Sequence, residues 1–392
     1  MGARGLVLDL DALRLFPVEQ VERILDAAGR NSKRRRKLPA YLMVYYMVAL
    51  GLLVGVGARE VLRRLLERER ERYGGTLASE AAITKARVRL GVQPLVRLFN
   101  EQVRPIATRA VRGAWFKGWR VVAIDGSTIN VADTPSNVRA FGRPPGSRGK
   151  TVFAQMRWVG LGEIGTHVLF AVEMAGWRVS EYGLGMKLLK HLDGSMLCLA
   201  DRGFYGFEMW DRAVQSGAQL LWRVQKQIPL PRLCKLADGS YLSEVRPRST
   251  ERKHVRAKKI QVRLIEFDVI LRNRRTEHYR LITNILDPKR ATAMELARLY
   301  GKRWGIETIF DEIKDRVRGG APLLRSKRPD LIKQDFYGLL LAHFGVRSLM
   351  LEAAREADVE PDDLSFAHAL SVIISRLPEM VSFSPSFQAA LP

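Results

Sequence analysis

The sequence predicts an α/β protein with an α-helical N-terminal part, and three observations predict it. From residue 1 to about 115, apolar residues recur at helical spacing and β-branched alternation is sparse. From Trp119 the texture changes to short runs rich in Val and Ile that end at turn residues. Near Thr292 helical periodicity returns and persists into the C-terminal part. With 392 residues, 47% of them hydrophobic, the chain can bury a large core and form more than one domain.

In the N-terminal part a dense basic run, "KRRRK", covers Lys33 to Lys37 and precedes a long apolar stretch, Leu38 to Gly57. That stretch is about long enough to span a bilayer. It also holds three glycines, a proline and three tyrosines, and runs straight into a charged helical pattern. A buried helix or helical pair is the expectation, with no membrane partner. Ser79 is placed to start a helix carrying Lys85, Arg87 and Arg89, and Gly91 to end it. This segment reads either as the second half of a helix-turn-helix or as one member of a plain three-helix packing domain.

The strand region opens with "WRVVAIDGS", an apolar run closing on Asp125 and a turn. Two further strands, separated by "GEIG", predict a hairpin between Thr151 and Gly176. The helical pattern "EYGLGMKLLKHL" follows. A second buried strand, "MLCLA", then closes on Asp201. Another helix is expected at 211–217 and a strand at "QLLWRVQK". From about Ile228 to Asp287 strand runs dominate, interrupted by basic residues.

Sixty-five Lys and Arg against 41 Asp and Glu give a net charge of +24 and a pI near 10.4. Such an excess favours a polyanionic partner, nucleic acid first. The two cysteines, Cys198 and Cys234, support neither a disulfide framework nor a zinc cluster, and the six histidines show no metal spacing. The opening "MGARGLVLDLDALRLF" carries acids inside its apolar run and lacks the order of a signal peptide, so an intracellular location is expected.

The segment "YGKRWGIETIFDEIK", residues 300–314, carries the chemistry furthest. On a continuous helix with Tyr300 at zero, Arg303 falls at about −60°, Glu307 at about −20° and Lys314 at about −40°. All four share one side, with Ile306, Ile309, Phe310, Ile313 and Val317 on an adjoining arc. Asp311 is a rival carboxylate, at about 20°. Taken alone, this face is either a solvated row of ordinary helix ion pairs or a site. Asp125, Asp201 and Glu307 together, without His or Cys, suit a hard cation such as magnesium or manganese. Two such ions support phosphodiester chemistry, which the positive balance of the chain suits.

These residues carry a resemblance. Asp125-Gly126-Ser127 resembles the first aspartate box of the insertion-sequence-4 (IS4) family of transposases, in the DDE transposase and integrase superfamily. Asp201-Arg202-Gly203-Phe204 resembles the second. Tyr300, Arg303, Glu307 and Lys314 match the family's tyrosine-arginine-glutamate-lysine box without a gap, and Trp304 and Ile306 suit it. A Ser follows the first Asp-Gly where Thr is frequent. The match is strong from about Trp119 to Arg318 and looser before it.

The resemblance implies a ribonuclease-H-like catalytic core interrupted by a β-strand-rich insertion, behind an α-helical N-terminal domain that binds DNA. The expected partition is 1–115 (N-terminal domain), 116–227 (first part of the core), 228–290 (insertion), 291–350 (catalytic-helix part) and 351–392 (helical tail). Asp125, Asp201 and Glu307 would be catalytic and hold two Mg2+ or Mn2+ ions. Tyr300, Arg303, Lys314, Arg202 and Trp304 would contact DNA. The implied activity is cut-and-paste transposition of an insertion sequence. The protein would act at terminal inverted repeats as a homodimer on DNA, in the bacterial cytoplasm at the nucleoid. The rival reading is a transposase-derived DNA-binding regulator without catalysis.

Overall fold

The computed structural model describes residues 15–33, 37–67, 76–145, 153–247, 259–270, 276–318 and 323–380. Arg34 to Arg36, the middle of the basic run, lie outside the described residues. The chain divides into two compact units. The first comprises 1–106, 129–156 and 311–392; the second comprises 107–128 and 157–310.

The first unit is mainly helical. Helices α1 (Val18–Ala27), α2 (Ala40–Leu52), α3 (Ala58–Leu65), α4 (Glu80–Leu90) and α5 (Gln93–Gln102) pack with the C-terminal α11 (Pro329–Ala357) and α12 (Phe366–Met380). A shorter helix, α6 (Pro135–Phe141), belongs to it as well. Helix α4 lies where the sequence put it: Ser79 Oγ accepts the Ala82 N–H at its start, and Gly91 ends it at φ +69°. The apolar stretch that imitates a membrane span forms α2, which is only 13 residues long and buried over most of its surface. Among the described residues no helix is long and apolar enough to cross a membrane.

A helix apolar all round must be covered on every side, and α11 supplies much of that cover. Two glycines set the approach. A Cβ on Gly51 would stand 2.5 Å from the Gly338 carbonyl oxygen, and a Cβ on Gly338 would run into the Met47 carbonyl. Gly338→Val should therefore destabilise the protein by about 1–3 kcal/mol or more, the usual cost of overpacking. Gly57→Ala, where a Cβ meets nothing within 4 Å, is the matched control and should be near neutral. Denaturant midpoints that coincide for Gly338→Val and the parent would refute this packing.

The second unit is built on a sheet. Strands β1 (Trp115–Phe116), β2 (Trp119–Val131), β3 (Ala154–Glu163), β4 (Leu169–Gly176), β5 (Met196–Ala200) and β6 (Gln219–Arg223) are followed by β7 (Cys234–Lys235), β8 (Tyr241–Val245), β9 (Ile260–Ile270) and β10 (Thr276–Thr283). The spatial order is β4-β3-β2-β5-β6-β10-β9-β8-β7, with β1 paired beside β2. Helices α7 (Glu181–Leu188) and α8 (Phe207–Gln215) connect strands of this sheet. Strand β5 is parallel to both β2 and β6, as its buried, unalternating Val/Leu-type neighbours require. The strand run after Ile228 extends this same sheet through β10, which pairs antiparallel with β6.

Two expectations change. The first strand does not close at Asp125: β2 continues through Asp125-Gly126-Ser127 to Val131. In the first unit its far end gains a parallel partner, the short β11 (Leu323–Leu324). Nor is the helical run from Thr292 continuous. It comprises α9 (Ala293–Gly301), a 3-10 turn at Lys302–Trp304, and α10 (Gly305–Arg318). The start is as expected, with a capping box in which Thr292 and Glu295 satisfy each other's backbone N–H.

Candidate active site

Sheet register brings the first two carboxylates together. The parallel ladder of β2 and β5 pairs Ile124 with Ala200 as its last rung. Asp125, within β2, and Asp201, just past the end of β5, are the next residues after that rung, so the register carries both carboxylates to the same end of the ladder. Each is fixed locally. Asp125 Oδ1 accepts the N–H of Gly126 at 2.8 Å, and Asp201 Oδ1 accepts that of Gly203 at 2.6 Å. Both glycines have reason to lack a side chain. A Cβ on Gly126 would stand 2.6 Å from Glu181 Cδ, and one on Gly203 would stand 3.0 Å from Asp201 Oδ1.

The third carboxylate is tied to this pair by an arginine. Arg303, nine-tenths buried, donates Nη1 to Asp125 Oδ2 at 3.0 Å and Nη2 to Glu307 Oε1 at 2.9 Å. Burial pushes the Asp125 carboxyl up to about 6. The Gly126 N–H and Arg303 pull it down, while the charges of Asp201 and Glu307 add to the rise. The three carboxylates therefore sit in one another's field. Glu307, at 38% side-chain exposure, is the more open of the bridged pair, and Asp125 is at 19%.

The five residues expected to contact DNA take different positions. Trp304 is exposed at 60%, an apolar plate on the surface, with the Arg303 guanidinium carbon 5.4 Å from its ring centre. Arg202 is exposed, and its charge helps hold Glu277 below the usual carboxylate range, chiefly an effect of Arg223. Lys314, half-exposed, lies seven residues beyond Glu307 on α10. Tyr300 differs from the outward-facing ring that a continuous helix implies. It is buried, donates its hydroxyl to the Ala200 carbonyl at 3.3 Å, and meets Tyr279 edge-on. Between Tyr300 and Glu307 the chain passes through the tight turn at Lys302–Trp304. Asp311, the rival carboxylate, is exposed and belongs to the first unit.

Sequence reasoning passed over three residues of this neighbourhood. Glu181, in the first turn of α7, packs against Gly126. Arg223 lies 3.7 Å over the Tyr279 ring, and Tyr279 packs on Tyr300. Nothing local marks them, because each reaches the site from a strand or helix distant in the chain.

The donor set suits a divalent cation: three carboxylates, all hard oxygen donors, two of them just past the last rung of the β2–β5 ladder. As they stand, no three His, Cys, Asp or Glu side chains among the described residues converge closely enough to hold one ion. The positive charge among these carboxylates is Arg303.

Comparison with known proteins agrees with the family resemblance read in the chain. Residues 117–344 match the family model described as transposase DDE domain, and residues 10–100 match insertion element 4 transposase N-terminal. The chain belongs to the IS4 family of DDE transposases. It is similar to the transposase InsG for insertion sequence element IS4 of Escherichia coli K12. The two are 27% identical over 374 residues, covering 94% of this chain and 82% of that protein. A putative transposase InsZ of the same organism is 27% identical over 209 residues, covering 53% of this chain and 68% of the other. A cryo-EM structure of the piggyBac transposase synaptic complex with hairpin DNA aligns at a TM-score of 0.45 and 11% identity, covering 98% of this chain and 86% of that one.

Proposed function

We propose that this transposase binds the terminal inverted repeats of its own insertion sequence and cuts and rejoins DNA at them in cut-and-paste fashion. The observation that carries the reading is the meeting of Asp125 and Asp201 at the end of the β2–β5 ladder, with Glu307 joined to Asp125 through Arg303. Asp125, Asp201 and Glu307 would hold two Mg2+ or Mn2+ ions, which when bound activate a water or a 3′ hydroxyl and stabilise the leaving oxygen of a phosphodiester. The strand order β4-β3-β2-β5-β6, with the aspartates on two adjacent parallel strands, supports a ribonuclease-H-like core, and β7 to β10 then count as its insertion.

The chain's own groups would do the rest. Arg303 and Arg202 supply charge for phosphates near the carboxylates, and Lys314, further along α10, would also contact DNA. Trp304 offers an exposed face on which a base can stack. Tyr300 supports the site from beneath through Ala200, the residue before Asp201. A duplex carrying the element's terminal repeat tests the reading. It should be nicked at the transposon 3′ end with Mg2+ or Mn2+ and stay intact with chelator. A duplex that stays whole at every metal concentration would sink it.

The first unit supports a role in gripping the element ends. Arg30, Lys33 and Arg89 rim an open cleft of about 330 Å³ between the start of α2 and the end of α4, and all three side chains are exposed. Replacing all three by alanine should weaken binding to end DNA. It should also lower the log–log salt slope, by roughly one for each phosphate no longer held. Affinity and slope equal to those of the parent would remove this cleft from the DNA surface.

A further inference from the structure

We propose that Arg303 is the built-in counter-ion of the metal-free site: it bridges Asp125 and Glu307 until metal enters, and then surrenders both carboxylates and turns to a DNA phosphate. The inference rests on the reading of these carboxylates as metal ligands.

The geometry is a two-armed bridge. One guanidinium nitrogen is 3.0 Å from Asp125 Oδ2 and the other is 2.9 Å from Glu307 Oε1. The other oxygen of Asp125 is already engaged by the Gly126 N–H. A cation shared between Asp125 Oδ2 and Glu307 Oε1 would meet the oxygens that Arg303 holds. A small divalent ion binds carboxylate oxygen at about 2.0–2.1 Å. An ion bound to Asp125 Oδ2 and Glu307 Oε1 would compete with the guanidinium for the same lone pairs. It would also stand within a few Å of a like charge in a partly dehydrated site, where repulsion is weakly screened. Arginine and metal therefore compete at these two oxygens.

The displaced group keeps a use. A guanidinium released from carboxylates presents the same planar fork to a phosphate, which it binds in two-pronged fashion. Metal entry would thus arm a DNA contact, and a phosphate that captures Arg303 would open the site to metal. Linkage requires the two effects to be equal in size, and such couplings usually amount to about 5–150-fold. Buried between its partners, with its guanidinium carbon 5.4 Å from the Trp304 ring centre, Arg303 is held by two carboxylates that a second cation would contest.

Mn2+ titration of the full-length protein without DNA, read by the electron paramagnetic resonance of free Mn2+, tests this directly. Arg303→Ala should bind Mn2+ about tenfold more tightly than the parent, within that coupling range. Arg303→Met, which keeps the apolar stem for packing, should do the same and guards against misfolding of the alanine variant. Unchanged or weaker Mn2+ affinity in a folded Arg303→Met protein would overturn the proposal. Asp125→Ala and Glu307→Ala separate this failure from failure of the underlying reading. Loss of Mn2+ binding in both keeps the carboxylates as ligands, whatever Arg303 does. Retention of parental affinity in both removes the metal site, and the bridge's role with it.

Discussion

Asp125→Ala, Asp201→Ala and Glu307→Ala should each lower the rate of strand cleavage by about a thousandfold or more, while binding to end DNA persists. Metal-assisted phosphodiester cleavage draws several kcal/mol of transition-state stabilisation from the ions, and each 1.4 kcal/mol is about tenfold in rate. Removing one ligand of three forfeits most of that. Binding, by contrast, rests on many Lys and Arg side chains spread over a chain of net charge +24. Removing a carboxylate takes negative charge from a DNA-facing site, so affinity should hold or rise slightly. Single-turnover cleavage and gel-shift assays on the same labelled duplex separate the two quantities. A variant that cuts at the parental rate removes its residue from the site. A variant that loses cleavage and binding together has lost its fold instead.

The second large effect lies away from the chemistry. Arg87 belongs to the basic helix that the sequence offers to DNA, yet its side chain is buried. It donates to Asp335 Oδ1 at 2.6 Å, to the Leu331 carbonyl at 3.0 Å, and to Gln334 Oε1 and Ser326 Oγ at 3.3 Å each. The pair is nearly closed to water, with side-chain exposures of 11% and 12%. Burial raises the Asp335 carboxyl above its ordinary range, and Arg87 pulls it back. Arg87→Met would leave the buried Asp335 charge without its counter-ion and several acceptors without a donor, at a cost of about 3–5 kcal/mol for a broken buried pair. The double variant Arg87→Met with Asp335→Leu should recover much of that cost, because both charges then go together. Chemical denaturation measures both. A phosphate-binding Arg87 would give the opposite pattern, with unchanged stability and a shallower salt dependence of DNA binding.

What is legible in the sequence follows from local physics. Ser79 and Thr292 announce helix starts because a side-chain oxygen meets the free N–H groups of the first turn. Asp125 and Asp201 stand out because a carboxylate next to an apolar strand run is held at the rim of a core, and parallel register then makes them neighbours. Their partnership with Glu307 comes from the spacing of the box and the resemblance it carries. What stays hidden depends on partners far along the chain. Arg87 reads as one more surface cation until Asp335 is placed beside it, 248 residues away. That the strands after Ile228 extend the central sheet stays hidden too, because nothing in an edge strand says which ladder it will join. The turn before Glu307 does have a local signal. Gly301 and Gly305 bracket Lys302–Trp304, and glycines inside a helical pattern are weak points where a tight turn can enter. Tyr300, before that turn, is buried, and Trp304, at its end, is exposed as the aromatic beside Arg303.

The central claim is that Asp125, Asp201 and Glu307 form one metal site. Iron-directed backbone cleavage tests it most directly. Fe2+ in place of Mg2+, with ascorbate and peroxide, generates short-lived radicals that cut the polypeptide beside the bound ion. Cuts should cluster around residues 125, 201 and 307, be suppressed by excess Mg2+ and be absent in Asp125→Ala. Cuts that fall elsewhere in the chain, or that survive unchanged in Asp125→Ala, would contradict it.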